Sequence, residues 1–358
     1  MTKKYTSFTL AAGLYTVFAV YLYHPYFRGF GSLHLHDLFV VNVCLASLGC
    51  YILSRRWIAG FAESFFAGAV YGFGPYVLGL VKFHPTGCFL VAAIPWLFCP
   101  AVFGPEGKWR PLRILLSLLP FLVIVLFFQL AARFGLYPIP IKLKLHASDL
   151  VGFLAPLVVA KRSMNLVGFY HVPIAALVMG FCMFAAPLGF LRSGGVLHKG
   201  RLLTAVAARR SGIVIIFVVA TISAFCDSLL QISPIIWLAI STLCCSVLIG
   251  VGMQGLISAG PADKRPVLLA AILSGIFSIV TLLLATKYFQ VVAGLADGYA
   301  RLLVETAKMY ILGSSVVAIL FLIVRAKLRI HPVRQILLYT AMALDIFLGA
   351  RFIVDTIL

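Results

Sequence analysis

The densest group of residues that could do chemistry is His34-Leu35-His36-Asp37, where two imidazoles and a carboxylate are close together in the chain. Such a set can bind a divalent cation, or Asp37 can act as a general base with a histidine beside it. A third interpretation is an ordinary polar helix start, with Asp37 as the N-cap of a helix from Leu38 onward. The residues alone leave these alternatives open.

Three further acidic residues, Glu63, Asp227 and Asp345, lie inside long apolar runs. Ionisable groups at membrane depth are costly, and they usually face a partner or a protein-lined cavity. Glu63 and Asp227 lie near the ends of their runs, where a carboxylate can reach an interface or a structural partner. Asp345 is deeper, and Arg351 is placed to serve it only imperfectly. It therefore either lines a functional cavity or is a paired structural acid.

The composition identifies the environment of these residues as a membrane. Of 358 residues, 63% are hydrophobic and 11% are charged, whereas a soluble domain has about 25% charged residues. The net charge of +19 does not indicate nucleic-acid binding, because basic residues of multi-pass proteins collect in loops that face the anionic inner leaflet. The eight cysteines form no CxxC or Cys/His pattern, which is typical of small buried side chains rather than of disulfides or a metal site.

Apolar runs long enough to span the hydrocarbon core predict an all-α, polytopic helical bundle with about eleven spans. The predicted spans cover residues 7–23, 38–54, 58–81, 87–103, 112–134, 165–190, 212–231, 235–256, 266–285, 309–325 and 335–355.

The basic stretch Arg192–Arg210 sets the orientation of the predicted bundle. It contains five basic residues and no acid, and such clusters stay on the cytoplasmic side. This orientation predicts a cytoplasmic N-terminus, an outer C-terminus and location in the cell inner membrane. The chain then divides into an N-terminal membrane half at 1–191 with six spans, a basic cytoplasmic loop at 192–211, and a C-terminal membrane half at 212–358 with five spans.

Two predicted outer segments are longer than simple turns. Residues 137–162 contain an apolar piece, 150–160, that is too short to span and carries a proline, so a re-entrant or interfacial segment is expected. In residues 286–308, Asp297, Arg301 and Glu305 repeat at helical spacing, which predicts an interfacial helix with one polar stripe.

The sequence lacks the motifs of several enzyme classes. The chain has no GxGxxG, Walker, HExxH or GxSxG sequence, so a kinase, ATPase or zinc-protease function has no support.

Two stretches resemble a known family. Residues 42–103 contain NVCLASLGCYILSRRW, AGAVYGFGPYVLGLVKFHP and AAIPWLFCPAVF, and residues 148–180 contain SDLVGFLAP and NLVGFYHVPIAALVMG. They resemble passages of the GT-C glycosyltransferase superfamily of bacterial multi-pass membrane proteins, in which an Arg-Arg helix end, a Gly/Ala-rich helix with an aromatic-Pro-Tyr end and an outer-loop histidine follow one another.

The resemblance implies an active site at the outer face, a polyprenyl-phosphate-linked sugar as donor, and an aspartate of the first outer loop as catalytic acid or base. Asp37 is the acid of that loop, with His34 and His36 beside it. The residues establish no cofactor; a divalent cation bound by His34, His36 and Asp37 is the one candidate, and it comes from the residue types rather than from the resemblance. The candidate substrate-binding residues on the outer side are Arg28, His84, Lys142, Lys144, Lys161, Arg162 and His171.

Two other functions remain open from the sequence. Asp345 and Glu63 inside the bilayer favour a transporter or flippase-like carrier. The scarcity of acidic residues favours a non-catalytic subunit that assembles with other membrane proteins.

Overall fold

The computed structural model describes residues 2–26, 35–58, 60–103, 110–136, 139, 151–160, 168–185, 200–226, 229–260, 263–288, 299–326 and 330–357. The structure is 90% helical, and the described residues contain no strand, which confirms the all-α prediction.

The described residues form the following helices. In chain order they are α1 (Thr2–Tyr23), α2 (Leu35–Ser54), α3 (Phe61–Gly72), α4 (Pro75–Phe83), α5 (Pro85–Phe103), α6 (Arg110–Arg133), α7 (Val151–Leu154), α8 (His171–Ala185), α9 (Gly200–Phe225), α10 (Pro234–Ser258), α11 (Lys264–Leu284), α12 (Ala300–Arg325) and α13 (His331–Ile357). Single 3₁₀ turns lie at His24–Tyr26, Pro156–Ala160 and Leu229–Gln231.

Among the described residues, seven helical segments are long and apolar enough to cross a membrane, and four shorter apolar helices lie in α2, α6, α8 and α9. Each of the predicted spans therefore contains an apolar helix, and the protein is an integral membrane protein of the multi-pass type. The number of crossings and the sidedness of the termini stay predictions.

Helix α10 is the centre of the bundle. Its apolar window is buried throughout, and it packs against α3, α8 and α9. The large exposed apolar side chains lie instead on peripheral helices such as α6, where Leu115, Leu118, Leu122 and Leu126 face outward. An apolar exterior around an apolar core is the arrangement that lipid as solvent permits.

Glycines allow α8 and α10 to touch through their backbones. A Cβ added to Gly252 would lie 1.8 Å from the carbonyl oxygen of Ala176, and one added to Gly180 would lie 2.4 Å from that of Leu248. Helices in lipid associate through such close approach rather than through a hydrophobic driving force. These two glycines therefore set the distance between α8 and the central helix.

The predicted span 58–81 is interrupted in its middle. Helix α3 ends at Gly72, and α4 begins at Pro75 after an extended Gly74. Proline has no N–H to donate and disfavours helical backbone in the residue before it, so the Gly-Pro pair breaks the helix. Both halves remain buried inside the bundle. The hydropathy pattern predicted one continuous helix here, and the structure corrects it to two half-helices.

Two boundaries differ from the predicted ones. Helix α9 begins at Gly200, so the second part of Arg192–Arg210 is helix rather than loop, since its Leu, Ala and Arg residues are good helix formers. Helix α12 begins at Ala300, and its first turns therefore include Arg301 and Glu305 of the segment predicted as a separate interfacial helix.

The piece at 150–160 forms two short elements, α7 and the 3₁₀ turn Pro156–Ala160. Leu157, Val158 and Val159 are fully buried, and Gly168 lies against the carbonyl of Gly152. The re-entrant or interfacial role of this segment stays a prediction.

Candidate functional site

Asp345 lies in the middle of the longest helix, α13, and on its buried face. The residue is 2% exposed. The buried residues one turn away on α13 are apolar or glycine: Ala341, Met342 and Gly349. A carboxylate in such surroundings is stable only with hydrogen-bond partners from other elements.

The partners of Asp345 come from the start of α8. Oδ1 lies 2.7 Å from Nδ1 of His171, and Oδ2 accepts a hydrogen bond from the backbone N–H of Val172 at 2.6 Å. The first N–H groups of a helix have no partner within the helix, and the helix dipole favours a negative charge there. Asp345 therefore caps α8 from α13 and holds the imidazole of His171 at the same time.

Aromatic side chains enclose this pair. The Tyr310 ring of α12 packs on the His171 ring at 89°, with 4.4 Å between the ring centroids. The Tyr170 hydroxyl donates a hydrogen bond of 2.7 Å to the carbonyl of Phe73, the residue that caps α3. We call these five residues (Phe73, Tyr170, His171, Tyr310 and Asp345) the polar centre. The end of α3 and the start of α8 therefore meet beside the midpoint of α13.

Gly349 makes room for this arrangement one turn after Asp345. A Cβ at this position would lie 2.3 Å from Cε1 of Tyr170. The small residue therefore lets Tyr170 pass α13 and reach the Phe73 carbonyl.

The second nitrogen of His171, Nε2, is buried and has no hydrogen-bond partner among the described residues. A carboxylate accepts and does not donate, so Nδ1 carries a proton beside it, and in the neutral form of the ring Nε2 is then an acceptor. Leaving a buried polar atom unpaired costs about 1–3 kcal/mol. An imidazole that a carboxylate orients in this way can act as a general base at Nε2.

The structure places His171 deep in the bundle, although the sequence grouped it with the outer substrate-binding residues. It also places Arg351, the imperfect sequence candidate for pairing with Asp345, in an exposed ion pair with Asp355 at 2.8 Å. Tyr170, Tyr310 and the Phe73 carbonyl were missed by sequence reasoning. The available signal was the dipeptide Tyr170-His171 at the start of an apolar run.

Glu63 is a hydrogen-bonded carboxylate at the start of α3. The residue is 6% exposed, and the Tyr339 hydroxyl of α13 donates a hydrogen bond of 2.7 Å to Oε1. Oε2 lies over Gly60, where an added Cβ would come within 1.7 Å of it. The first turn of a helix suits a negative charge, so this geometry favours a structural role for Glu63.

A second group of predicted site residues lies where α2 and α5 begin. The two helices run in parallel, because Asn42 bonds Cys88 while Trp96, further along α5, donates to the carbonyl of Leu45 at 3.0 Å. The pairing of Asn42 with Cys88 places Asp37, in the first turn of α2, near the level of His84.

The turn between α4 and α5 contains His84. The residue is half-buried, burial lowers the pKa of its imidazole, and Nε2 has no hydrogen-bond partner within the described ranges. A neutral ring can hydrogen-bond a phosphate but adds no positive charge. Fully buried Ile139 packs on Gly87, 3.1 Å from the position of an added Cβ, and the Cβ of His84 lies 3.4 Å from the same position.

Several predicted site residues lie outside the described residues, and their placement stays a prediction. They are Arg28, His34, Lys142, Lys144, Lys161, Arg162 and Asp227. For His36 and Asp37 the structure describes the helix that contains them but not their side chains.

Metal and disulfide chemistry have no further support in the described part of the chain. It contains no group of three or more His, Cys, Asp or Glu residues that could hold a metal ion. The eight cysteines are free, and four of them, Cys50, Cys88, Cys244 and Cys245, are buried.

Comparison with known proteins adds no relative: no protein-family model, curated protein or solved structure matches the chain.

Proposed function

We propose that this membrane protein transfers a sugar from a polyprenyl-phosphate donor at the end of the bundle where α2 and α5 begin. The observation that carries the proposal is the register of these helices, which brings Asp37 to the level of His84. His84 lies in the stretch 42–103 that resembles the GT-C superfamily, and Asp37 precedes that stretch by five residues.

The chemistry of such a donor fits this end of the bundle. Its lipid tail would stay in the bilayer beside the exposed apolar helices, and its phosphate would need basic groups at the interface. The buried contact of Ile139 with Gly87 supports a position near His84 for the segment that carries Lys142 and Lys144. Asp37 would accept the proton of the acceptor hydroxyl as its oxygen bonds to the anomeric carbon of the sugar. The bond from that carbon to the phosphate oxygen would break, and polyprenyl phosphate would leave.

Replacing Asp37 with asparagine is expected to lower the transfer rate by about a hundredfold or more, because the amide cannot accept the proton. The measurement uses purified protein, radiolabelled polyprenyl-phosphate hexoses and pentoses, and a cell-envelope extract as acceptor. Asp263→Asn is the matched control, since Asp263 lies between α10 and α11, near the start of α13, where Arg334 donates to the Ala259 carbonyl. The other end of α13 is the one that contacts Tyr26, the residue that ends the turn after α1.

Failure of the folded wild-type protein to transfer from any of these donors would refute the proposal. Equal transfer rates for the wild type and Asp37→Asn would support sugar transfer by the protein but contradict a catalytic role for Asp37. Unfolding temperatures of the variants distinguish lost chemistry from lost structure.

A carrier is the second candidate, favoured by the polar centre. Discontinuous helices whose ends meet near the middle of a bundle, together with an ionisable pair, are the features from which many transporters build their sites. Here the interrupted α3 and α4, the start of α8 and the Asp345 carboxylate meet in this way.

The carrier predicts that positions beside Asp345 become open to water from one face at a time. Single cysteines at Met342 and Ile346, in a background without the native cysteines, are expected to react with an impermeant maleimide from one side of the membrane at a time. After each rate is divided by that of a free thiol at the same pH, the side from which they react should change between pH 5.5 and 8. The labelling compares sealed vesicles of the two orientations. Leu344→Cys, on the exposed face of the same helix, is the control, and its reaction should not depend on side or pH in this way. Reaction at 342 and 346 that is independent of side and pH would count against a carrier.

A further inference from the structure

We infer that His171 is the acceptor in a buried binding site for a hydroxyl group, at the start of α8 and in contact with α12 and α13. The ligand group is a hydrogen-bond donor, either a water molecule or the hydroxyl of a small solute. This inference uses only the contacts of the polar centre and does not depend on the transfer reaction proposed above.

The first step is that the contact with Asp345 makes Nε2 the one hydrogen-bond acceptor of the neutral His171 ring. Both carboxylate oxygens are engaged, Oδ1 with Nδ1 of His171 and Oδ2 with the N–H of Val172. The proton of the neutral ring is therefore on Nδ1, and the lone pair of Nε2 is on the other side of the ring. Asp345 is a positioning residue, because it fixes the ring and its tautomer without meeting the ligand.

The second step is that Nε2 requires a donor. Its surface is buried, the His171 side chain has 0% exposure, and no described residue bonds to it. Buried polar atoms in folded proteins nearly always have a partner, which is often a bound water or ligand.

The third step concerns the class of ligand. Nε2 is a hydrogen-bond acceptor, and the oxygens of a phosphate or carboxylate are acceptors too. Such a ligand would also add negative charge near Asp345, so anions are disfavoured. A metal ion would need further ligands, and the described residues offer no cluster that supplies them. A neutral hydroxyl donates the required hydrogen bond without a buried charge.

The surroundings suit a hydroxyl on an otherwise apolar surface. The Tyr310 ring lies on the His171 ring, and Phe277 of α11 packs edge-on against Tyr310 with ring centroids 5.9 Å apart. Aromatic faces give a small solute apolar contact area while Nε2 fixes its orientation.

The test is ¹⁵N NMR of histidine-labelled protein in lipid nanodiscs. The dipeptide His171-Val172 occurs once in the sequence, so pairwise labelling assigns the signal without a mutation. The expected result is a neutral ring with its proton on Nδ1, and an Nε2 chemical shift typical of a hydrogen-bonded acceptor.

Two probes distinguish the sources of the hydroxyl. A hydrogen-bonded shift without added solute identifies water, and a shift that appears only with added glycerol or glucose identifies a solute. A free-acceptor shift under all these conditions, a proton on Nε2 of the neutral ring, or a doubly protonated ring at neutral pH would overturn the inference.

Discussion

Asp345→Asn is expected to lower the free energy of unfolding by about 1–3 kcal/mol, the cost of leaving a buried hydrogen-bonding group without its partner. The carboxylate accepts hydrogen bonds from two donors, Nδ1 of His171 and the N–H of Val172. An amide has one acceptor oxygen, so its NH₂ group would face the remaining donor. The substitution therefore uncaps α8 or releases His171, and both groups stay buried.

The measurement is SDS unfolding in mixed micelles, followed by the reaction of buried cysteines with a thiol-reactive dye. Asp355→Asn is the matched control, since Asp355 lies on the same helix but pairs with Arg351 at the exposed end. Exposed pairs contribute little to stability, so the control should unfold close to the wild type. Equal losses for the two variants would contradict the structural role of the polar centre.

Gly252→Ala is expected to lower the free energy of unfolding by more than about 3 kcal/mol, beyond the usual cost of overpacking. The added methyl would lie 1.8 Å from the Ala176 carbonyl oxygen, and the obstacle is backbone rather than a movable side chain. The α8–α10 contact must therefore separate, and the start of α8 then moves relative to Asp345.

Gly275→Ala in α11 makes the same chemical change at a position where an added Cβ meets nothing within 4 Å. This control should leave stability unchanged or raise it by up to about 1 kcal/mol, because alanine is the better helix former. The same unfolding assay measures both variants. If Gly252→Ala unfolds like Gly275→Ala, the close approach of α8 and α10 does not set the stability of the bundle.

The sequence predicted the positions of the apolar helices well, because the free energy of placing a side chain in lipid depends on local composition. It missed the interruption at Gly74-Pro75, since averaging hydropathy over a window hides a break in an apolar run. That break was nevertheless readable from the Gly-Pro pair. The helical start of α9 was missed because its basic residues were interpreted as part of a loop.

The candidate sites were predictable only in part. Asp345 stood out as an isolated charge in an apolar run, and the structure supplies its partner. That partner could not be inferred, because 174 residues separate His171 from Asp345 and no local pattern connects them. Asp37 and His84 lie at a similar level along the bundle because of the register of α2 on α5. That register depends on packing rather than on sequence periodicity.

The capping of α8 by Asp345 has a consequence for how the protein is made. Helix α8 begins at His171, and the N–H of its second residue, Val172, has its partner on α13. Its cap emerges from the ribosome roughly 9 to 35 seconds later, at about 5–20 residues per second over the intervening chain. Until then the start of α8 lacks the carboxylate that stabilises it. The contact between the start of α8 and Asp345 can therefore form only after α13 has been synthesised.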